Sequence, residues 1–264
     1  MKKVLALFFC ISWIATHAQF VDTAKKDTTK IDSTSILALP DTVRHLESKA
    51  ASYIAPAVFV TYGVLSLKVK AIRNVDINVY NDLMEDHPNF NYHIENYLQY
   101  APAVMVYGLN LAGIHGKNTF IDRTVLYGMS EGIMALTTFS LKKVTHRLRP
   151  DGSNRYSFPS GHTGNAFAAA EFMAQEYSEK SPWYGIAGYS FATATAILRV
   201  YNRDHWFSDI IAGAGFGILS TKAAYLIYPL FRNKLFHDKK SNKTTSLMPS
   251  FENGTIGFAF TKQL

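Results

Sequence analysis

The chain has 264 residues, 48% of them hydrophobic, with 27 Lys and Arg against 20 Asp and Glu. That length suits one good-sized domain with a real core and argues against two. A pI near 9.3 suits an acidic small molecule, an anionic membrane surface or nucleic acid, and a single cysteine excludes a disulfide framework and a Cys-based metal site.

In chain order, residues 1–18 read as a signal peptide. Lys2 and Lys3 precede the apolar run VLALFFCISWIA, and the small Ala18 stands before Gln19. Cleavage there removes Cys10, the sole thiol, and Phe9 is too large for a lipoprotein cleavage site. Residues 19–48 are a polar linker rich in Thr, Asp and Lys. Residues 49–234 form the helical domain. Its apolar blocks, 51–67, 97–114, 124–147, 161–177, 184–200 and 206–231, are bounded by Pro, Asn, Asp or Gly. They predict an all-α fold of six helices. A membrane span needs about 20 mostly apolar residues, and Asn110, Glu131 and Glu171 interrupt most blocks. The last block comes nearest, although Lys222 breaks it. Gly213, Gly215 and Gly217 in AGAGFG are read as helix-packing positions, because no strand precedes them and the dinucleotide fingerprint is absent. The tail, 235–264, is polar and Lys-rich, with Asn253-Gly254 between short apolar runs as a hairpin signal.

Three clusters carry chemistry. In SLKKVTHRLRP (140–150), Lys142, His146 and Arg149 fall at i, i+4 and i+7 on one face of a predicted helix that Pro150 ends. Alone, this is a basic helix end. In FPSGH (158–162), Ser160 can cap a helix and Gly161 lets a ligand approach the backbone. His162 then sits in the first turn, where unpaired N–H groups favour anions. In LRVYNRDHWFSDIIAG (198–213), His205 and Asp209 fall at i and i+4. A carboxylate there can take the Nδ1 proton and leave Nε2 free as a nucleophile. Alone, this is a surface helix pair. Arg203 and Asp204 read as solvated loop residues, with Asp204 available as a helix cap. His146 reads as solvated, Trp206 as a packing residue, and His87, His93, His115 and His237 carry no motif.

Together and in this order the clusters resemble the superfamily of type 2 phosphatidic acid phosphatases, bacterial acid phosphatases and vanadium haloperoxidases. Its signature is K-x6-R-P, P-S-G-H and S-R-x5-H-x3-D. The chain reads Lys142-x6-Arg149-Pro150, Pro159-Ser160-Gly161-His162 and Arg199-x5-His205-x3-Asp209, with Leu198 where the signature has Ser. The resemblance covers roughly 95 to 220 and implies that family's six-helix bundle. It implies that Lys142, Arg149, Arg199, Ser160 and Gly161 hold a phosphate. It further implies that His205, oriented by Asp209, attacks phosphorus to give a phosphohistidine, and that His162 protonates the leaving oxygen.

No metal and no cofactor are expected, since three fixed cations neutralise the phosphate; vanadate would enter only if the chain were a haloperoxidase. The leading expectation is a phosphatase of lipid phosphates such as phosphatidate, phosphatidylglycerophosphate, undecaprenyl pyrophosphate or lipid A. The alternatives are an acid phosphatase of soluble phosphomonoesters, a vanadate-dependent haloperoxidase and a non-catalytic envelope scaffold. Nucleic acid is disfavoured as a partner, because the basic residues converge on one site and form no long stripe. The short, interrupted blocks and the leader place the protein outside the cytoplasm, in the periplasm or envelope, with membrane association.

Overall fold

A computed structural model describes residues 50–235, 245–252 and 255–262. The signal peptide and the linker of the sequence reading lie outside the described residues. A 3-10 turn, Ala50–Tyr53, leads into eight α-helices: α1 (Ile54–Ser66), α2 (Lys70–Asp86), α3 (Glu95–Leu98), α4 (Ala101–Leu111), α5 (Phe120–Thr145), α6 (Gly161–Tyr177), α7 (Pro182–Tyr201) and α8 (Phe207–Leu235). The expected count of six is therefore too low, and α2 and α3 are the additions. α2 escaped because it buries only a thin stripe, Asp76, Val79 and Leu83, on an otherwise polar helix. The one-turn α3 has no period to read.

α6 is the central helix. Every residue from Ala166 to Tyr177 is buried. Its small residues let α8 pack onto it almost backbone to backbone. A Cβ on Gly217 would lie 2.2 Å from the Gly164 carbonyl oxygen, and one on Gly213 would lie 2.6 Å from that of Ser160. The packing role read for these glycines is the one they have. One apolar cluster joins Phe59, Leu83, Phe167, Tyr189, Ile210 and Ile218. A second gathers Val106, Leu126, Phe172, Tyr177 and Tyr225.

Two polar knots interrupt this core. Midway, the buried Lys222 pairs with Glu171 at 3.1 Å, and the same carboxylate accepts from Gln175 (2.7 Å) and Tyr189 (2.5 Å). Two of the polar residues that broke the apolar blocks, Glu171 and Lys222, thus satisfy each other inside the bundle. At one end, Arg123 pairs with Glu176 at 3.0 Å and Tyr225 donates to Glu176 at 2.6 Å. The outward face of α5 has no neighbour among the described residues. Ile121, Val125, Leu136 and Phe139 are exposed there, and a Cβ at Gly128 or Gly132 would meet nothing within 4 Å.

α8 is the one helix among the described residues that is long and apolar enough by itself to cross a membrane, by length and composition. Most of its apolar window is buried inside the bundle. Strands β1 (Thr245–Glu252) and β2 (Thr255–Lys262) pair antiparallel, with Glu252 opposite Thr255. The hairpin signal in the tail is met by these strands.

Candidate active site

The three clusters come together where the C-terminal ends of α5 and α7 meet the N-terminal ends of α6 and α8. α5 stops at Thr145, because His146 turns left-handed with φ 44°. This corrects the single helix face expected for Lys142, His146 and Arg149. Lys142 stays in the last turn, His146 is an exposed cap, and Arg149 arrives from the following loop.

Ser160 caps α6. Its hydroxyl accepts from the Thr163 N–H (3.4 Å) and lies 3.0 Å from Thr163 Oγ1. Its own N–H donates to the Asp209 carbonyl at 3.1 Å, which ties the two helix starts together. Gly161 and His162 follow in the first turn of α6. His205 is not on a helix, as the i, i+4 reading expected, but two residues before α8. Asp209 occupies the third position of that helix and accepts the Trp206 N–H at 3.0 Å, a capping arrangement.

The three cations share one charged neighbourhood. Burial, then Arg149 and Arg199, push the Lys142 ammonium down to about 8. Burial, then Arg199, push His162 down to about 4. Burial drives the enclosed His205 down to about 3, so its imidazole is neutral and nucleophilic across the physiological range. Burial works to raise the Asp209 carboxyl, but His205, Arg147 and Ser157 outweigh it and hold it below the ordinary value. His205 Nδ1 stands 3.8 Å from Asp209 Oδ2, outside hydrogen-bond range. Catalytic contacts of this kind are often long until substrate binds.

Several residues of the site were invisible as motifs. Glu95 of α3 accepts from Arg199 (3.0 Å) and Asn202 (3.0 Å). Asn96 lies 2.9 Å from His162 Nε2. Asp204, expected to be a solvated loop residue, instead bridges Arg149 (3.3 Å) and Arg199 (3.0 Å). The spacing Arg199-x4-Asp204 was a signal that could have found it, since a charge beside two arginines has a partner to hand. His93, Glu95 and Asp204 bring donor atoms within 4.8 Å of one another. Their carboxylates, however, are already shared with Arg149 and Arg199, so the cluster has little negative charge to offer a cation. Arg147, inside the first motif, turns inward onto Asp209 at 2.6 Å and Asp76 at 2.6 Å.

Residues 123–233 match the model of the PAP2 superfamily. The lipid A 1-phosphatase of Porphyromonas gingivalis is 34% identical over 172 residues, which cover 64% of this chain and 39% of that protein. The chain thus spans about two fifths of the length of this relative. A transmembrane PAP2-type phosphatidylglycerolphosphate phosphatase from Bacillus subtilis matches over 71% of this chain and 98% of that one, at 22% identity and a TM-score of 0.47.

Proposed function

Residues 123–233 carry the chain into the PAP2 superfamily, and from that premise we propose that it is a phosphatase of lipid phosphates that works through a phosphohistidine. The observation that carries this reading is the meeting of the three motifs at one end of the bundle, where the Ser160 N–H donates to the Asp209 carbonyl and Asp204 joins Arg149 to Arg199. The name of the relative in P. gingivalis supports a lipid substrate, with the 1-phosphate of lipid A as the leading candidate.

In the first step the His205 Nε2 lone pair attacks phosphorus while the P–O bond to the lipid breaks. His162 Nε2 gives its proton to the departing oxygen. Asp209 holds the Nδ1 proton and offsets the positive charge that grows on the His205 ring. In the second step water attacks phosphorus, the P–N bond breaks, and His162 recovers a proton from that water. Lys142, Arg149 and Arg199, with the N–H groups at Gly161 and His162, stabilise the charge on the three equatorial oxygens. Because His162 is deprotonated in the free enzyme at neutral pH, the proton it donates enters with the substrate monoanion. Fixed cations supply the charge that a metal would otherwise bring, so the reaction runs without a cofactor. The leader and the exposed apolar side chains of α1 and α5 support an exported protein at a lipid surface of the envelope.

The test is phosphate release by purified protein in EDTA from lipid A, phosphatidate, phosphatidylglycerophosphate, undecaprenyl pyrophosphate and p-nitrophenyl phosphate. Release that His205→Ala abolishes, with an acid-labile phosphoenzyme trapped in the parent, is the expected result. Release only from soluble esters would remove the lipid reading. No release, with vanadate-dependent halide oxidation instead, would overturn phosphatase chemistry. Recovery of the protein solely from the cytoplasm would overturn the localisation.

A further inference from the structure

We propose that Arg147, clamped by Asp76 of α2, is a positioning residue for the His205–Asp209 pair, so that a helix outside the family-matched segment is part of the catalytic apparatus. The inference rests on the phosphatase reading above.

The two oxygens of Asp209 are used differently. Oδ1 accepts from Arg147 Nη1 at 2.6 Å. Oδ2 accepts from the Ser157 hydroxyl (2.5 Å) and the Trp206 N–H (3.0 Å), and it is the oxygen that faces His205 Nδ1. A carboxylate gripped at one oxygen cannot rotate the other away from the ring. Arg147 is itself fixed. Nη2 donates to Asp76 Oδ2 at 2.6 Å, and Nη1 also reaches the Ser208 and Ser66 hydroxyls at 2.8 and 3.2 Å. Asp76 accepts in turn from the Ser208 N–H (2.8 Å) and hydroxyl (2.7 Å). Arg147 is 7% exposed, Asp76 1%, and Ser66, Ser157, Ser208 and Asp209 not at all. A chain of charge-assisted bonds this short and dry is rigid.

Here one guanidinium serves two buried carboxylates; burial pushes the Asp76 carboxyl up against Arg147 and Ser208, and with both acids ionised the trio carries one net negative charge directly behind His205. That is the charge needed when the ring becomes cationic on attack at phosphorus. Arg147 also keeps Asp209 ionised against the burial that works to protonate it. The titratable and charged groups facing Asp209 are His205, Arg147 and Lys142, with Asp76 beyond Arg147.

The experiment measures kcat and KM of Arg147→Lys, Arg147→Gln and Asp76→Asn from pH 4 to 9 on whichever ester the parent hydrolyses, alongside the thermal midpoint of each. Arg147→Gln is expected to lower kcat about 100-fold with KM changed less than about threefold, and to move the acid limb upward as Asp209 gains a proton more readily. Arg147→Lys, which keeps the charge but cannot grip both carboxylates, is expected to recover part of kcat and to restore the acid limb. Asp76→Asn is expected to lower kcat about tenfold and to leave substrate binding alone. If Arg147→Gln does not fold, the other two variants decide. Folded variants with parental kcat and an unmoved acid limb would overturn the proposal and leave Arg147 as a staple for α2. A parent that releases no phosphate would sink the phosphatase reading instead. The His205 ring-nitrogen signals, read by NMR in Arg147→Lys and Asp76→Asn, would then decide the positioning role: shifted signals uphold it and unmoved ones overturn it.

Discussion

Gly217→Ala tests the packing that places the two histidines. A Cβ there would sit 2.2 Å from the Gly164 carbonyl oxygen and 2.9 Å from the Ala168 nitrogen, both backbone atoms that cannot swing aside. A relaxed contact needs more than 3 Å, so α6 and α8 must part by about 1 Å. Overpacking of this kind costs about 1–3 kcal/mol. At about 2–4 °C per kcal/mol for a domain of this size, the thermal midpoint should fall by about 2–12 °C. His162 lies in the first turn of α6 and His205 just before α8, so the same displacement moves the proposed acid and nucleophile apart. A misplacement of about 1 Å is worth about 100-fold in rate. Gly132→Ala is the control, because a Cβ there meets nothing within 4 Å. It should stabilise by up to about 1 kcal/mol through helix propensity alone. Urea and thermal unfolding with kcat on the same samples make the comparison. If Gly217→Ala unfolds within about 0.5 kcal/mol of the parent, the close approach of α6 and α8 is not as described. If Gly132→Ala costs as much as Gly217→Ala, something covers the outer face of α5.

Lys222→Met should cost about 3–5 kcal/mol, because Glu171 loses its ammonium partner in the middle of the core; urea denaturation at pH 7.5 measures it, and the loss should shrink at lower pH, where the carboxyl can take a proton. Glu131 is pushed up to about 7 by burial, against the opposing Tyr127 hydrogen bond. A carboxyl raised on folding adds stability that is complete below its unfolded value and is lost as pH rises through about 7. Glu131→Gln should therefore be more stable than the parent at pH 8 and should flatten the unfolding free energy between about 4.5 and 7. His162→Ala should lose about 100-fold or more on alkyl phosphates and far less on p-nitrophenyl phosphate, whose leaving group needs no proton; equal losses on both would remove His162 as the acid.

The cage was legible where chemistry imposes spacing. Lys142, Arg149, His162, Arg199, His205 and Asp209 stand in three short motifs, and the fold brings all three to one end of the bundle. The helix geometry behind two of them was not legible. His146 adopts a left-handed backbone, a conformation in which histidine is enriched but which few histidines take, and it frees Arg147 and Arg149 to point in different directions. His205 and Asp209 meet across a helix start rather than along a helix. The counter-charges were hidden for another reason. Glu95 and Asp76 lie about 70 to 130 residues from the groups they serve, and a polar helix such as α2 gives no apolar period to announce that its one buried acid matters. Asp204 and Arg147 stood in full view inside recognised motifs. In a single sequence, a charged residue beside other charged residues reads as solvated surface, and only the tertiary contacts distinguish the exceptions.

On the proposed phosphatase reading, the sharing of arginines with Glu95 and Asp204 bears on turnover. Three cations, Lys142, Arg149 and Arg199, stand against two carboxylates, and the resting cage is left with one net positive charge. Three uncompensated cations in a confined site would hold the inorganic phosphate dianion tightly, and release of product would then limit every cycle. With most of the charge already answered from within the protein, the site suits a singly charged ester on entry. It should then give up the more highly charged product with less delay. The acids beside the arginines thus act as a brake on affinity, and removing either one should be felt first as slower departure of phosphate.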